Sequence, residues 1–462
     1  MPPQIATVVF VLGILGLFWL DRDREARTSK ALWVPVLWLL INGSRSVSQW
    51  MESGPIVDSP ERYVEGSPLD AFVFGTLLAA GLIVLVGRRR QVGLLLRANG
   101  PILLFFSYCA LSTLWSDYTF VAFKRWTKAL GDVVMVLIVL TDPDRLPALK
   151  RVLARAAFLL VPLSVLFIKF YPDLGRSYNQ WTWLPMYAGV TTGKNELGMT
   201  CLVFGLGSAW RFFRAFRAGE GTRRAGRVIA HGIILAMVLW LLRMSNSMTS
   251  LSCFIMAGGL LAITSLVRLA RKPVVVHLLV AAIVSVSFSV LFLHVGGGAL
   301  ETMGRDSTLT GRTEIWSTVL SVAENPFVGT GYESFWLPER IQRLWDVFGL
   351  HINEAHNGYL EVYLNLGWIG VALLAVLIVT GYRNVSVAFR RDPDAGGLRL
   401  AYFIAAVVYS FTEAGFRTMS LIWIVFLLAT TAVPEPSVLN APNLDRQVTP
   451  PDHWVREYEE VV

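Results

Sequence analysis

Cysteine and charge are both scarce in this sequence. The three cysteines, Cys109, Cys201 and Cys253, lie inside apolar runs and lack the spacing of a metal site or a disulfide framework. We therefore expect them to be small buried residues. Only 16% of the residues are charged and 54% are apolar, whereas soluble domains average about 25% and 45 to 50%. This composition argues against one globular core and indicates a polytopic membrane protein.

Acidic residues are fewer than basic residues, which leaves a net charge of +8. Such an excess can indicate nucleic-acid binding, but here the basic residues form short clusters beside apolar runs. That arrangement is typical of the cytoplasmic loops of membrane proteins. We therefore expect contact with membrane lipid and no nucleic-acid partner.

The apolar runs predict about twelve or thirteen membrane spans, since each span needs roughly 20 residues. Only helices satisfy their own backbone hydrogen bonds in a bilayer, so we predict an all-α polytopic membrane protein. Its single membrane domain would cover residues 1–433, followed by a disordered cytoplasmic tail over 434–462. The first run lacks the basic start and cleavage site of a signal peptide and is expected to be retained. The runs are 5–20, 31–48, 70–87, 98–115, 120–140, 152–170, 196–212, 228–243, 249–267, 274–294, 357–381, 398–415 and 417–433.

Lysine and arginine collect in alternate connectors, which sets the expected orientation because positive clusters mark the cytoplasmic side. The opposite, extracytoplasmic face would carry residues 52–68, 172–194 and one long loop over about 295–356. The positive clusters are 22–30, 88–90, 150–155, 211–227, 268–272 and 383–391.

The long loop is the most extended departure from an otherwise apolar sequence. It contains TGRTEIW at 310–316, NPFVGTGY at 325–332 and HINEAHNGY at 351–359. An inert connector between two apolar spans needs no arginine, tryptophan, glycine turns and paired histidines. We therefore expect this loop to work at the membrane surface.

Positive side chains are expected to line the outer face, with few carboxylates nearby. Arg305 and Arg312 lie in the long loop, and Lys194 with Asn195 lies in the segment TGKNELG at 192–198. Such a lining suits phosphate or diphosphate, because an arginine fork binds phosphate oxygens in pairs.

Three further cations, Lys124, Arg125 and Lys128, lie at the expected outer end of the 120–140 run. Charges that oppose both hydropathy and topology are costly, which makes them functional candidates. The alternative is that these long side chains reach the lipid headgroups.

His356 lies just before an apolar run, so its ring is expected at the mouth of the membrane. A neutral imidazole can accept a proton from an attacking hydroxyl near neutral pH, although a lone loop histidine more often only hydrogen-bonds. His351 and His356 are also possible metal ligands. Their five-residue spacing does not place both on one helical face, and no third ligand with recognisable spacing follows. We expect no metal and no cofactor.

In this order, the motifs resemble the O-antigen ligase and O-antigen polymerase superfamily. The resemblance rests on residues 310–316 and 325–332, and on His356 and Asn357 leading into LGWIG at 366–370. The segment 192–198 is similar to an upstream element of its exopolysaccharide-polymerase branch. Together these motifs extend over roughly residues 172–381.

The resemblance implies a GT-C-like, inverting, metal-independent glycosyltransferase of the bacterial inner membrane, active on the periplasmic face. It would transfer glycan from an undecaprenyl-diphosphate carrier to an acceptor hydroxyl. Flippase and chain-length regulator proteins are the expected protein partners. Arg312 would bind the diphosphate, and His356 would orient or deprotonate the acceptor. The remaining expected substrate contacts are Lys194, Asn195, Arg305, Arg125, Lys128, Asn357 and Trp316.

One arginine of the family pattern is missing. Members often carry a Ser-Arg element before the long loop, but the matching segment here is RMSNSMTS at 243–250. Either Arg243 or Lys194 supplies that charge, or the contact is absent. The loop is short for a ligase, which favours a polymerase and leaves a ligase as the close alternative. A transporter of lipid-linked glycans is the alternative from another class, supported by Asp132 and Glu413 near or within apolar segments.

Overall fold

The fold of the chain is given by a computed structural model. It describes residues 1–23, 26–52, 61–178, 185–217, 224–267, 272–292, 310–349 and 351–434. These residues are almost entirely helical, with one small antiparallel sheet of two strands. The predicted all-α polytopic class is therefore confirmed.

We number the helices in chain order. The first half of the chain contains α1 (Pro3–Leu20), α2 (Trp33–Asn42), α3 (Val47–Trp50), α4 (Arg62–Glu65), α5 (Pro68–Gly87), α6 (Arg89–Ala98), α7 (Gly100–Ser112), α8 (Thr119–Leu140), α9 (Arg145–Phe170) and α10 (Pro172–Gly175). The strands β1 (Arg176–Tyr178) and β2 (Pro185–Tyr187) follow. The second half contains α11 (Lys194–Arg217), α12 (Arg224–Ser245), α13 (Met248–Leu266), α14 (Pro273–Phe292), α15 (Thr310–Val322), α16 (Pro338–Phe348), α17 (Gly358–Arg391), α18 (Pro393–Tyr409) and α19 (Leu421–Thr430).

Fewer helices than predicted are both long and apolar enough to cross a membrane. Within the described ranges there are 7, or 8 if the bent pair α6 and α7 forms one span. Of the other predicted spans, α2 and α19 have 10 residues each, which rise about 15 Å in a hydrocarbon core of roughly 30 Å. Helices α8 and α11 carry several charges, and α18 has 17 residues. The 7 are Pro3–Leu20, Tyr63–Gly87, Arg145–Phe170, Arg224–Ser245, Met248–Leu266, Pro273–Phe292 and Gly358–Arg391.

Helix α11 lies at the centre of the helical bundle and packs against α9, α12, α13 and α18. Most of its middle is buried, from Leu197 to Arg211. Its 24 residues rise about 36 Å. One helix therefore extends from the outer loops to the opposite face of the protein.

Helix α17 is broken at Gly367, whose backbone is non-helical (φ 63°, ψ −166°). The segment after Asn325 docks into this break, because Trp368 N donates to the Pro326 carbonyl at 2.9 Å and Ile369 N to the Phe327 carbonyl at 3.2 Å. A Cβ at Gly367 would lie 2.2 Å from the Phe327 carbonyl carbon, so only glycine fits there. The NPFVGTGY and LGWIG motifs thus pack against each other through backbone hydrogen bonds.

The expected long loop contains helices wherever the structure describes it. Helices α15 and α16 pack with the start of α17 around a second small core, so this segment is not an extended connector. Residues 293–309, which include Arg305, and the tail after Pro434 lie outside the described residues. The second core contains Val319, Phe335, Trp336, Ile341, Leu344, Trp345, Ala355 and Leu364.

Candidate active site

Glu413 connects three of the residues that the sequence singled out. It lies in a turn after α18, where its N–H donates to the Tyr409 carbonyl at 3.0 Å, and its side chain is 5% exposed. Arg312 Nη2 donates to Glu413 Oε1 at 2.8 Å. His356 Nδ1 is 3.2 Å from Oε2, and Asn195 Nδ2 is 3.4 Å from the same oxygen. Residues far apart in sequence therefore converge on one buried carboxylate.

His356 lies between two carboxylates, since its Nδ1 is also 2.8 Å from Glu354 Oε1. Burial alone would lower the pKa of His356, but hydrogen bonds to Glu354 and Glu413 raise it to about 10. The ring is therefore an imidazolium at neutral pH. This corrects the expectation of a neutral imidazole ready to accept a proton. The Nε2 atom makes no hydrogen bond to the part of the chain that the structure describes, and the side chain is 31% exposed.

Glu354 is held in its ionised form by the same contacts. Burial would raise its pKa, but the hydrogen bond from His356, followed by the charges of His356, Arg417 and Arg312, lowers it below the usual value. Its side chain remains 26% exposed, so a ligand can reach it. We call Arg312, Glu354, His356 and Glu413 the active-site cluster.

Arg417 links the active-site cluster to a further carboxylate, Glu333. Its guanidinium lies 3.7 Å from Glu354 Oε2 and 3.5 Å from Glu333 Oε2. Glu333 Oε1 in turn accepts from the Thr418 N–H at 3.1 Å. Arg125, on α8, donates to the Glu333 carbonyl and, at 2.9 Å, to the Tyr63 carbonyl.

The short segment before His356 is held by buried side chains. Glu361 accepts from Ala355 N at 2.6 Å and from Trp336 Nε1 at 2.9 Å. Trp316 Nε1 donates to the Ala355 carbonyl at 2.8 Å, which also ties α15 to this segment. His356 itself adopts a left-handed backbone (φ 49°), a conformation that persists in a non-glycine residue only where its surroundings fix it.

Two predicted substrate contacts, Asn357 and Trp316, also hold parts of the backbone in place. The Asn357 side-chain oxygen caps α17, accepting from Tyr359 N at 3.0 Å and Leu360 N at 3.1 Å, and the residue is 9% exposed. The only side-chain donor of Trp316, its Nε1–H, donates to the Ala355 carbonyl. Both residues position the active-site cluster, because each fixes a segment that carries one of its members.

Lys194 lines a cavity of about 700 Å³. It is the first residue of α11, next to Asn195, which contacts Glu413. Arg243, Ser245 and Asn246 of the α12–α13 corner line the same cavity. The two candidates for the missing arginine of the family pattern, Lys194 and Arg243, therefore face one cavity.

Arg125 and Lys128 do not contact the active-site cluster. Both guanidinium contacts of Arg125 are with backbone carbonyls, and Lys128 Nζ lies 5.3 Å from the centre of the Phe74 ring. Their role as substrate contacts stays a prediction, and their described neighbours are two backbone carbonyls for Arg125 and the Phe74 ring for Lys128.

The outer face is richer in carboxylates than the sequence suggested. The expectation of a cationic lining with few carboxylates is wrong, because Glu354 and Glu413 contact His356 directly and Glu333 contacts Arg417. Sequence reasoning missed Glu354 although it lies two residues before His356. It assigned Glu413 to a membrane span, since only the fold shows that the chain turns out of α18 there.

Three of these groups form the only cluster of potential metal donors within the described ranges. Donor atoms of Glu354, His356 and Glu413 lie within 4.8 Å of one another. The sequence gave no third ligand, and Glu413 supplies one. A metal would have to displace a proton here, because metal binding needs a deprotonated imidazole and the hydrogen bonds to Glu354 and Glu413 raise the pKa of His356.

Part of the chain is similar to a known protein family. Residues 224–375 match the family described as O-Antigen ligase. Over these residues the chain is therefore similar to O-antigen ligases. The matched segment contains Arg312, Glu354 and His356, whereas Lys194, Asn195 and Glu413 lie outside it.

A curated relative supports the exopolysaccharide branch of this superfamily. The chain is 28% identical over 308 residues to the exopolysaccharide production protein ExoQ of Rhizobium meliloti (strain 1021). The alignment covers 63% of this chain and 67% of the relative. The shared region is thus larger than the segment matched by the family.

Proposed function

We propose that this protein is a membrane glycosyltransferase that polymerises exopolysaccharide or O-antigen repeat units. The donor would be glycan linked to undecaprenyl diphosphate, and the reaction would take place on the periplasmic face of the inner membrane. The observation that carries the proposal is the convergence of Arg312 and His356 on Glu413, at 2.8 and 3.2 Å. Two cations fixed by one carboxylate suit a diphosphate leaving group.

The chemistry we propose is a single displacement at the anomeric carbon. The acceptor hydroxyl forms the new bond to that carbon as the bond to the diphosphate oxygen breaks. Arg312 and the imidazolium of His356 stabilise the charge that develops on the diphosphate. The hydroxyl proton passes to Glu354, which is ionised and accessible. His356 therefore acts as a cation, and not as the base that the sequence alone suggested.

The cavity lined by Lys194 and Arg243 is the proposed place for the carrier's diphosphate. Its volume of about 700 Å³ falls within the usual range of ligand sites. Lys194 adjoins Asn195 in sequence, and Asn195 contacts Glu413. The start of α11 therefore connects the proposed diphosphate position to the active-site cluster.

Both residues behind the transporter alternative have local partners in the protein. Asp132 accepts from Trp38 Nε1 at 2.8 Å and from the Met419 N–H at 3.2 Å, so it has structural partners. Glu413 is in the active-site cluster at one face. An ion or substrate pathway would need charged groups near the middle of the spans.

The test is glycan transfer by purified protein supplied with a lipid-diphosphate-linked oligosaccharide. The wild type should produce a ladder of added repeats, and Arg312→Ala and His356→Ala should each abolish it. Arg217→Ala is the matched control, because this cation pairs with Asp394 at the other end of α11 from Asn195. We expect its ladder to match that of the wild type.

Other products distinguish the alternatives. Transfer to an added lipid or protein acceptor without a ladder would identify a ligase. An unchanged ladder with both alanine variants would refute the assignment of the active-site cluster. No transfer to any acceptor, together with movement of the lipid-linked glycan between leaflets, would favour the transporter.

A further inference from the structure

A second cluster of charged residues lies at the opposite end of α11 from the active-site cluster. Arg211 forms an ion pair with Asp21, which follows α1. Its Nε atom also donates to His231 Nε2 on α12 at 3.2 Å. Arg227 Nη2 lies 3.1 Å from Asp23 Oδ2. The ends of α1 and α11 and the start of α12 therefore meet here.

Two more cations, Lys150 and Arg214, extend this group without adding a carboxylate. Lys150, near the start of α9, faces the positive charges of Arg214, Arg211 and Arg227. We call Lys150, Arg211, Arg214 and Arg227, with Asp21 and Asp23, the inner cluster. Its four cations face two carboxylates, which leaves an excess of positive charge.

Arg214 is incompletely satisfied within the part of the chain that the structure describes. Its Nη1 atom is buried and has no hydrogen-bond partner, and the same holds for Arg227 Nε. A buried guanidinium nitrogen without an acceptor is costly. An anion bound between α9, α11 and α12 would supply that acceptor and neutralise the excess charge.

The depth of the inner cluster indicates which anion is available. Asn195, at the active-site cluster, and Arg214 are separated along α11 by a rise of about 28 Å. That is close to the roughly 30 Å thickness of a bilayer's hydrocarbon core. This separation would place the inner cluster at the depth of the headgroup phosphates of the opposite leaflet if the active-site cluster lies at one membrane surface. Basic pockets between helices on that side commonly bind anionic lipid headgroups.

We propose that the inner cluster is a binding site for the phosphate of an anionic phospholipid, with Lys150 and Arg214 as its principal contacts. Arg211 and Arg227 are already paired with Asp21 and Asp23, and they hold the site in shape. The proposal is independent of glycan transfer, because none of these residues belongs to the active-site cluster.

The test uses full-length protein in detergent, titrated with phosphatidylglycerol, phosphatidylcholine or inorganic phosphate. Binding is read from the lipid retained in native mass spectra and from the shift in melting temperature. Phosphatidylglycerol should bind wild type, and Lys150→Gln/Arg214→Gln should weaken its binding about fivefold or more. Neither inorganic phosphate nor phosphatidylcholine should bind comparably.

Two controls separate binding from loss of charge or fold. Arg89→Gln/Arg90→Gln removes two exposed cations at the start of α6 and should leave the phosphatidylglycerol affinity within about twofold of wild type. Lys150→Arg/Arg214→Lys keeps the charges and should retain binding. Equal weakening by the two glutamine pairs would overturn the site. Equal binding of phosphate or of phosphatidylcholine would overturn the anionic phospholipid as its occupant.

Discussion

The active-site cluster and the inner cluster use the same kinds of residue with different access. In each, a histidine contacts a carboxylate that also pairs with an arginine. His356 contacts two carboxylates and is 31% exposed, whereas His231, next to the inner cluster, contacts one described carboxylate, Asp21, together with Arg211, and is 1% exposed. The open cluster can meet a substrate through its histidine. His231 is buried, so a ligand at the inner cluster would contact Lys150 and Arg214.

The two clusters, at opposite ends of α11, also differ in their balance of charge. Glu354 and Glu413 match the charges of Arg312 and His356, which keeps these two cations fixed before substrate arrives. Preorganised charge of this kind needs no rearrangement during reaction. The inner cluster keeps an excess of positive charge, which suits a resident anion.

The largest expected effect comes from removing the charge at the centre of the active-site cluster. Glu413→Gln keeps the side-chain shape but releases Arg312 and His356 together. Since misplaced catalytic groups and lost charge stabilisation each cost about 10² in rate or more, we expect kcat/KM for glycan transfer to fall about 10³-fold. Glu324→Gln is the control, because that carboxylate is 62% exposed. Similar rates for the two variants would contradict the role of Glu413.

In the inner cluster, removing an arginine should lower the free energy of unfolding. Arg211→Gln leaves the carboxylate of Asp21 buried without its arginine, which should cost about 3 kcal/mol of unfolding free energy. Arg217→Gln, on the same helix, removes a pair that is 35% and 40% exposed and should cost less than about 1 kcal/mol. Thermal unfolding in detergent measures both. Equal melting temperatures would show that the inner cluster does not support the fold.

A smaller effect should appear as a pH dependence confined to the active-site cluster. The pKa of His356 is raised from 6.5 to about 10, so its ion pairs stabilise the fold fully below about pH 6.5 and lose that effect as pH rises through 10. The lowered pKa of Glu354 adds stability at neutral pH that is lost in acid. We expect the gap in melting temperature between wild type and His356→Gln to shrink from pH 7 to pH 10. A gap independent of pH would contradict an imidazolium at this position.

The smallest expected effect is that of metal removal. Glu354, His356 and Glu413 could hold a cation, but a proton shared with the imidazole competes with any metal at neutral pH. Chelator should therefore change the rate of glycan transfer by less than about twofold. A loss restored by one divalent metal would replace the imidazolium in the mechanism with that metal.

Several elements of this structure follow from sequence patterns alone. The apolar runs predicted where helices lie, because a bilayer requires every backbone group to be satisfied within its own segment. The polar motifs at 310–316 and 351–359 singled out Arg312 and His356, since such residues are rare beside apolar spans. The family resemblance also followed from these motifs, and the family comparison bears it out.

Local sequence patterns were less informative about features that depend on tertiary packing. Span counting predicted more crossings than there are long apolar helices among the described residues, where α2 and α19 are apolar but only 10 residues long. Asn357 and Trp316 looked like ligand contacts, yet each has a backbone partner. A side chain's partners lie on other segments, and hydropathy does not record them.

The sequence by itself determined the membrane class, the helical elements and the identity of the two central cations. Only the tertiary structure decided that Arg312, Glu354, His356 and Glu413 meet, and that His356 is therefore charged. The physical reason is that a pKa depends on charges within a few ångströms. Those charges come here from Glu354, two residues away, and Glu413, 57 residues away in the chain.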